Sequence, residues 1–216
     1  MGMSRLLGRA WLPQLLINGG VMVVSILLAL AINGWKANQD DQELIARVIS
    51  NFENEIKRNK SRITDVSEYR NGIQQVLQDR NASGDMKSIT EFRHVMDAVQ
   101  PVLLTNSAWE TAVATSVLAK MDFELVSALT LTYNTQTRFD ENYRTTARAL
   151  LSPGNLTEQN LESTIYSASQ FVTDVIAQEA ELVAYYDQML KMLSSHDPTT
   201  SKGNVEGTLH RSATSH

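Results

Sequence analysis

The sequence predicts an all-α protein, with one N-terminal transmembrane helix continuing into an antiparallel helical bundle in which two long helices frame shorter ones. Three observations carry this reading. Leu12 to Ile32 contains no charged residue, and about 20 apolar residues are needed to cross the hydrocarbon core as a helix. Beyond it, apolar residues recur at three- and four-residue spacing with charges between them, the helical period. No proline interrupts the apolar period between residues 38 and 80, and Gly84, Pro101 and Pro153-Gly154 fall where one helix would give way to the next.

The organisation follows from composition along the chain: a basic tail over 1–11, the anchor over 12–35, the bundle over 36–195 and a disordered polar tail over 196–216. The bundle, roughly 160 residues, is large enough to bury about 70% of its unfolded surface without a metal or disulfide. A net charge of −5 with no basic stripe excludes nucleic acid as a partner. The absence of cysteine rules out a disulfide scaffold, thiol catalysis and Cys-type zinc sites. It also suits an oxidising envelope compartment.

The anchor is bracketed by Trp11 and Trp35, whose indole rings favour the headgroup level at each interface. Their separation corresponds to about 36 Å of helix. A cleaved signal peptide is the rival reading, since Arg5 and Arg9 form a basic n-region and Ala29-Leu30-Ala31 resembles a cleavage site. The apolar run exceeds the usual 7–15 residues of such a segment, and its helical pattern runs on through Asn33 and Trp35, so an uncleaved anchor is expected. Arg5 and Arg9 place the N-terminus in the cytoplasm under the positive-inside rule. The expected location is the inner (cytoplasmic) membrane, single-pass, with the C-terminal domain periplasmic.

Gln14, Asn18, Met22, Ser25, Ala29 and Asn33 recur at spacings of four and three and share one face of the anchor helix. Small and polar residues on one face are what helices in lipid use to associate. The bland alternative puts Gln14 and Asn33 at the interfaces and leaves Asn18 and Ser25 as tolerated singletons. Because an intramembrane amide is costly without a partner, the face is expected to self-associate or meet a second membrane protein.

In the bundle, the stripe from Ile45 through Phe52, Ile56, Ile63, Tyr69, Ile73 and Leu77 predicts one long helix over about 38–80, ended by Asn81-Ala-Ser-Gly84. Glu53, Glu55, Lys57, Arg58 and Lys60 are assigned to its solvated face. Ser88-Ile-Thr-Glu91 has the form of a capping box and opens a second helix to about Val99, before Pro101. Ser107-Ala-Trp-Glu110 reads as another box, opening a third helix to about Ala119. Asp122 caps a fourth, about 123–151, ended by Ser152-Pro153-Gly154. Asn155-Leu-Thr-Glu158 opens the fifth, which runs to about Ser194 with Leu161, Ile165, Val172, Leu182, Tyr186 and Met189 on its apolar side.

Chemistry-bearing motifs are sparse. Glu91-Phe-Arg-His94 fits Glu-x-x-His, but a di-iron bundle needs two such pairs and two further glutamates, and His196, His210 and His216 all lie in the tail. No Gly-x-Ser-x-Gly elbow and no phosphate-cradling glycine loop occurs. No enzyme, metal or cofactor is therefore expected. Trp109 and Tyr133 are candidate core or binding aromatics, with core packing favoured because large aromatics dominate core energetics.

Two stretches carry a resemblance. Ile26-Leu-Leu-Ala-Leu-Ala-Ile-Asn-Gly-Trp35, followed by a charged helix, resembles the start of an uncharacterised family of bacterial single-pass envelope proteins, whose span ends Ala-Leu-x-Ile-Asn-x-Trp. Ser107-Ala-Trp-Glu-Thr-Ala-Val-Ala-Thr-Ser-Val-Leu-Ala-Lys-Met-Asp122 and Leu125-Val-Ser-Ala-Leu-Thr-Leu-Thr-Tyr133 resemble that family's central segment, in which an Ala-Trp pair precedes a short loop and a Tyr-bearing helix. The resemblance implies an uncleaved anchor and a helical domain of unknown function. The chain departs from the pattern at Ser116-Val117, where a glycine is often found.

Together these readings predict a membrane-anchored interaction or scaffold protein whose partners are the membrane and either a second copy or another membrane protein. A small-molecule ligand is left open. The alternative is a ligand-sensing bundle that signals through a membrane partner, favoured if polar groups converge on a pocket between the helices.

Overall fold

The computed structural model describes residues 11–84, 86 and 88–196, with side chains from Gly20 onward. Expectations for the basic tail with Arg5 and Arg9, for the side chains of Trp11, Gln14 and Asn18, and for the polar tail from residue 197 lie outside the described residues. Five α-helices occur: α1 Trp11–Ser83, α2 Ile89–Asp97, α3 Ser107–Ala114, α4 Phe123–Leu150 and α5 Leu161–His196. Short 3-10 turns at Val117–Lys120 and Glu158–Asn160 precede α4 and α5. No strand is present among the described residues. The chain divides into two compact units between Ile45 and Ala46.

In the first unit, α1 is long and apolar enough to cross a membrane, with a window of mean hydropathy 1.7 of which no residue is buried. Met22, Ala29, Asn33 and Trp35 are all exposed. Ser25 is satisfied within the helix, its Oγ donating to the Val21 carbonyl at 2.8 Å, the back-bond by which serine hides its hydroxyl in an apolar helix.

In the second unit the core is built by three long stretches. The periodic stripe of α1 buries Ile49, Phe52, Ile56, Ile63, Ile73 and Leu77 against Leu125, Leu129 and Phe139 of α4 and Val172, Val175, Leu182, Tyr186 and Met189 of α5. Cross-links set the directions. Lys60 meets Asp187, Arg70 meets Glu179 and Gln74 meets Thr173, so α5 runs antiparallel to α1. Glu55 meets Tyr133 and Asn59 meets Gln136, so α4 runs parallel to it. Helices α1 and α5 thus frame the shorter elements. Tyr69, expected on the core stripe, instead faces solvent beside α2, as does Val76.

Helix ends follow local chemistry, with three departures. Gly84 takes a left-handed φ of 67° and its N–H reaches the Arg80 carbonyl at 3.0 Å, closing α1. Ser88 caps α2 by accepting from Glu91 N at 3.2 Å, while the Glu91 carboxylate pairs with Arg80. Asp122 caps α4 through Glu124 N and Leu125 N.

The first departure is at α3. It is not capped by Ser107, which is already helical behind Asn106, and it ends at Ala114 because the chain turns left-handed at Ser116, φ 56°. The second is at α5, which starts at Leu161 rather than after Asn155. The Asn155 amide instead donates to the Ala149 carbonyl at 2.8 Å and closes α4. The third is Glu55, placed on the solvated face by its charge but 1% exposed.

Candidate functional site

The segment joining α2 to α3, residues 98–106, is neither helix nor strand for most of its length. Its backbone polar groups therefore need partners elsewhere. Side chains of the long helices supply them along its course. Tyr143 donates to the Val99 carbonyl at 2.6 Å, Arg70 to Gln100 at 2.8 Å and Arg62 to Leu103 at 2.7 Å. Asn59 holds Thr105 from both sides: its Nδ2 donates to the carbonyl at 2.7 Å, and its Oδ1 accepts from the backbone N–H at 3.0 Å and the hydroxyl at 3.1 Å. Gln136 adds a second donor to the same carbonyl at 3.1 Å.

Below Thr105 the polar seam continues. Glu55 Oε2 accepts from Ser107 Oγ at 2.6 Å and from Ala108 N at 3.0 Å, and Oε1 accepts from Tyr133 at 2.8 Å. A carboxylate on α1 thus satisfies the first turn of α3, where orphan N–H groups and the helix dipole favour negative charge. Tyr186 donates to Gln136 Oε1 at 2.6 Å. Trp109 is half-buried and stacks on Tyr133 with ring centroids 5.5 Å apart and planes 18° apart, while Tyr133 itself is buried against Phe52. The two aromatics singled out from the sequence therefore meet, and they do so inside the packing.

Burial sets the titration of the tyrosines in the seam. Burial, then the hydrogen bond and charge of Glu55, push the Tyr133 hydroxyl well above the phenol range. Burial likewise raises Tyr186, which the Asn59 hydrogen bond partly offsets. Both phenols remain protonated donors. Arg70 pairs with Glu179 at 2.8 Å, both side chains 4% exposed. Burial pushes Glu179 up to about 7, with Arg70 pulling the other way. The Tyr143 hydroxyl beside this pair is also raised, chiefly by burial.

This arrangement holds structure together; it has no nucleophile poised beside a base. Asn59 is saturated by its partners and Glu55 accepts three hydrogen bonds, and His94 is exposed while Glu91 of the same motif turns to Arg80. Among the described residues no three His, Cys, Asp or Glu side chains converge to hold a metal ion. Sequence reasoning missed Glu55, Asn59, Arg70, Gln136 and Glu179. The signal available was position: Phe52, Glu55, Asn59 and Ile63 follow helical spacing, so the two polar residues fall on the buried stripe.

Two open grooves flank the seam. One of about 430 Å³ lies between α1 and α3, with Asn51, Asn54, Lys57 and Arg58 on one side and Ser107 and Thr111 on the other. The second, about 480 Å³, lies between α1 and α2 and is mostly apolar, lined by Tyr69, Ile73, Val76 and Val95.

No protein-family model, no curated protein and no solved structure matches this chain.

Proposed function

We propose that the chain is a membrane-tethered helical interaction or scaffold protein of the bacterial envelope. In this reading it crosses the cytoplasmic membrane once with its N-terminus inside and its helical unit in the periplasm. The observation that carries it is the exposure of every apolar side chain described from Val21 to Ile32. Such a continuous apolar surface needs lipid or another helix to cover it. Arg5 and Arg9 ahead of the span support the orientation, and the resemblance to single-pass envelope proteins supports the setting.

Association is assigned to the face of Gln14, Asn18, Ser25, Ala29 and Asn33. With the Ser25 hydroxyl already bonded to Val21, the amides are the groups left to bond across helices in lipid. The test is crosslinking in native membranes. Asn18→Leu with Ser25→Leu is expected to reduce the crosslinked oligomer, or the crosslink to a membrane partner, several-fold while the chain stays in the alkali-resistant membrane fraction. Unchanged yield sinks the association reading, and release of the chain by alkali sinks the anchor.

A further inference from the structure

The groove between α1 and α3 contains a charge that the fold does not use. From Lys57 to Arg80, the other cations described on α1 are engaged. Lys57 pairs with Glu53, Lys60 with Asp187, Arg70 with Glu179 and Arg80 with Glu91, and Arg62 holds the Leu103 carbonyl. Arg58 lines the groove and, among the described residues, no hydrogen bond or ion pair engages its guanidinium. The buried acid in the same lining, Glu55, accepts from Tyr133, Ser107 and Ala108 and is not paired with Arg58.

The groove's size and lining define what it would take. Its volume, about 430 Å³, lies within the roughly 300–1,000 Å³ of small-molecule sites. A guanidinium presents a planar fork that matches a carboxylate bidentately. Lys57 is already neutralised by Glu53, and the Glu55 carboxylate lies in the floor, so the lining accommodates one negative charge and disfavours a dianion. Around Arg58 stand the Asn51 and Asn54 amides and the Thr111 hydroxyl, with Ala108 and Ala112 forming the apolar side. These groups serve a solute that carries hydroxyls or amides besides its acid.

We propose that this groove is a binding site for a small polar monocarboxylate. Arg58 grips the carboxylate, and Asn51, Asn54 and Thr111 hold the remaining polar groups. The site lies wholly within the helical unit, so it stands or falls separately from association through the anchor.

The experiment is calorimetric titration of the full chain in detergent micelles at constant ionic strength. The ligands are gluconate and L-glutamine, with inorganic phosphate as the dianion comparison. Saturable binding of at least one monocarboxylate is expected, tighter than phosphate. Arg58→Ala should weaken it at least tenfold and Arg58→Lys less, while Arg93→Ala, on the exposed surface of α2, leaves it unchanged. Arg58 is exposed, so the unfolding midpoint of Arg58→Ala should match that of the parent chain. The proposal is overturned if neither monocarboxylate saturates by about 10 mM, where a site with a Kd near 1 mM would be mostly filled. It is equally overturned if Arg58→Ala binds as the parent does, or if phosphate binds as tightly as the monocarboxylates.

Discussion

Arg70 of α1 and Glu179 of α5 meet at 2.8 Å with both side chains almost wholly removed from water. The guanidinium also donates to the Gln100 carbonyl, so one buried ion pair joins two long helices to the segment that crosses them.

This pair makes stability depend on pH near neutrality. Glu179 is raised from 4.5 to about 7, by burial first, with Arg70 opposing. The folded state therefore holds this proton more tightly than the unfolded chain. Its contribution is fully present below about 4.5 and is lost as pH rises through about 7. Urea unfolding of the helical unit is expected to show stability falling over that window, by at most about 1.4 kcal/mol per pH unit for one proton. Glu179→Gln should remove this component of the slope. A slope identical in the variant would contradict the assignment.

Removing the other partner steepens the same pH dependence. Arg70→Met strands the Glu179 carboxylate and frees the Gln100 carbonyl, a loss of about 3–5 kcal/mol when the acid is ionised. The deficit should shrink toward acid pH as Glu179 takes up its proton. Denaturation at alkaline and mildly acidic pH, compared with the parent chain, measures it.

Glu55 is expected to rank by geometry. Glu55→Gln keeps an oxygen for Ser107 and Ala108 and turns an amide toward Tyr133, at a cost of about 1–2 kcal/mol. Glu55→Leu leaves the Tyr133 hydroxyl and the Ala108 N–H buried without partners and should cost about 3 kcal/mol or more. Near-UV circular dichroism of the Trp109–Tyr133 stack should weaken in the same order. Equal effects from both variants would mean that burial volume, not the hydrogen bonds, matters at this position.

The left-handed turn at Ser116, φ 56°, offers a stabilising change. A side chain in that region costs about 1–2 kcal/mol, and glycine loses part of the relief to its greater unfolded freedom. Ser116→Gly should therefore raise stability by about 0.5–1 kcal/mol, and Ser116→Val should lower it, both read from thermal unfolding. The backbone at Ser116 has the conformation that favours glycine.

Asn59→Leu tests the anchoring of residues 98–106, the strap laid between α2 and α3. The Thr105 N–H, held by Asn59 Oδ1 at 3.0 Å, should exchange with solvent at least tenfold faster, whereas amides in the middle of α5 change only as far as global stability does. Equal acceleration everywhere would show that the strap opens only with the whole unit.

The elements of the fold were legible because apolar period and punctuation agree: Gly84 does end α1, and Ser88 and Asp122 do cap α2 and α4. The errors at polar positions share one physical origin. Polar residues were assigned by chemistry rather than by position, so Glu55 was sent to solvent although it sits three residues after Phe52 and four before Asn59. Ser107 and Asn155 carry cap chemistry, but tertiary partners claim them. Glu55 takes Ser107, and the end of α4 takes Asn155. The contacts of the seam could not be read in advance because they join residues at least 30 positions apart. Nothing in the sequence indicated that residues 98–106 would draw donors from both α1 and α4.

The strap's anchoring has a consequence for how uniquely the helices can pair. Apolar stripes as long as those of α1 and α5 tolerate slippage, since moving one helix by a turn, about 5.4 Å, sets Leu and Ile against other Leu and Ile. Polar partners do not. A one-turn slide of α1 would separate Glu55 from Tyr133, Asn59 from Gln136 and Arg70 from Glu179 together, leaving three buried polar sets unpaired. These polar pairs thus act as a gauge against which the long helices are aligned, and they select one alignment from several that the apolar core alone would accept.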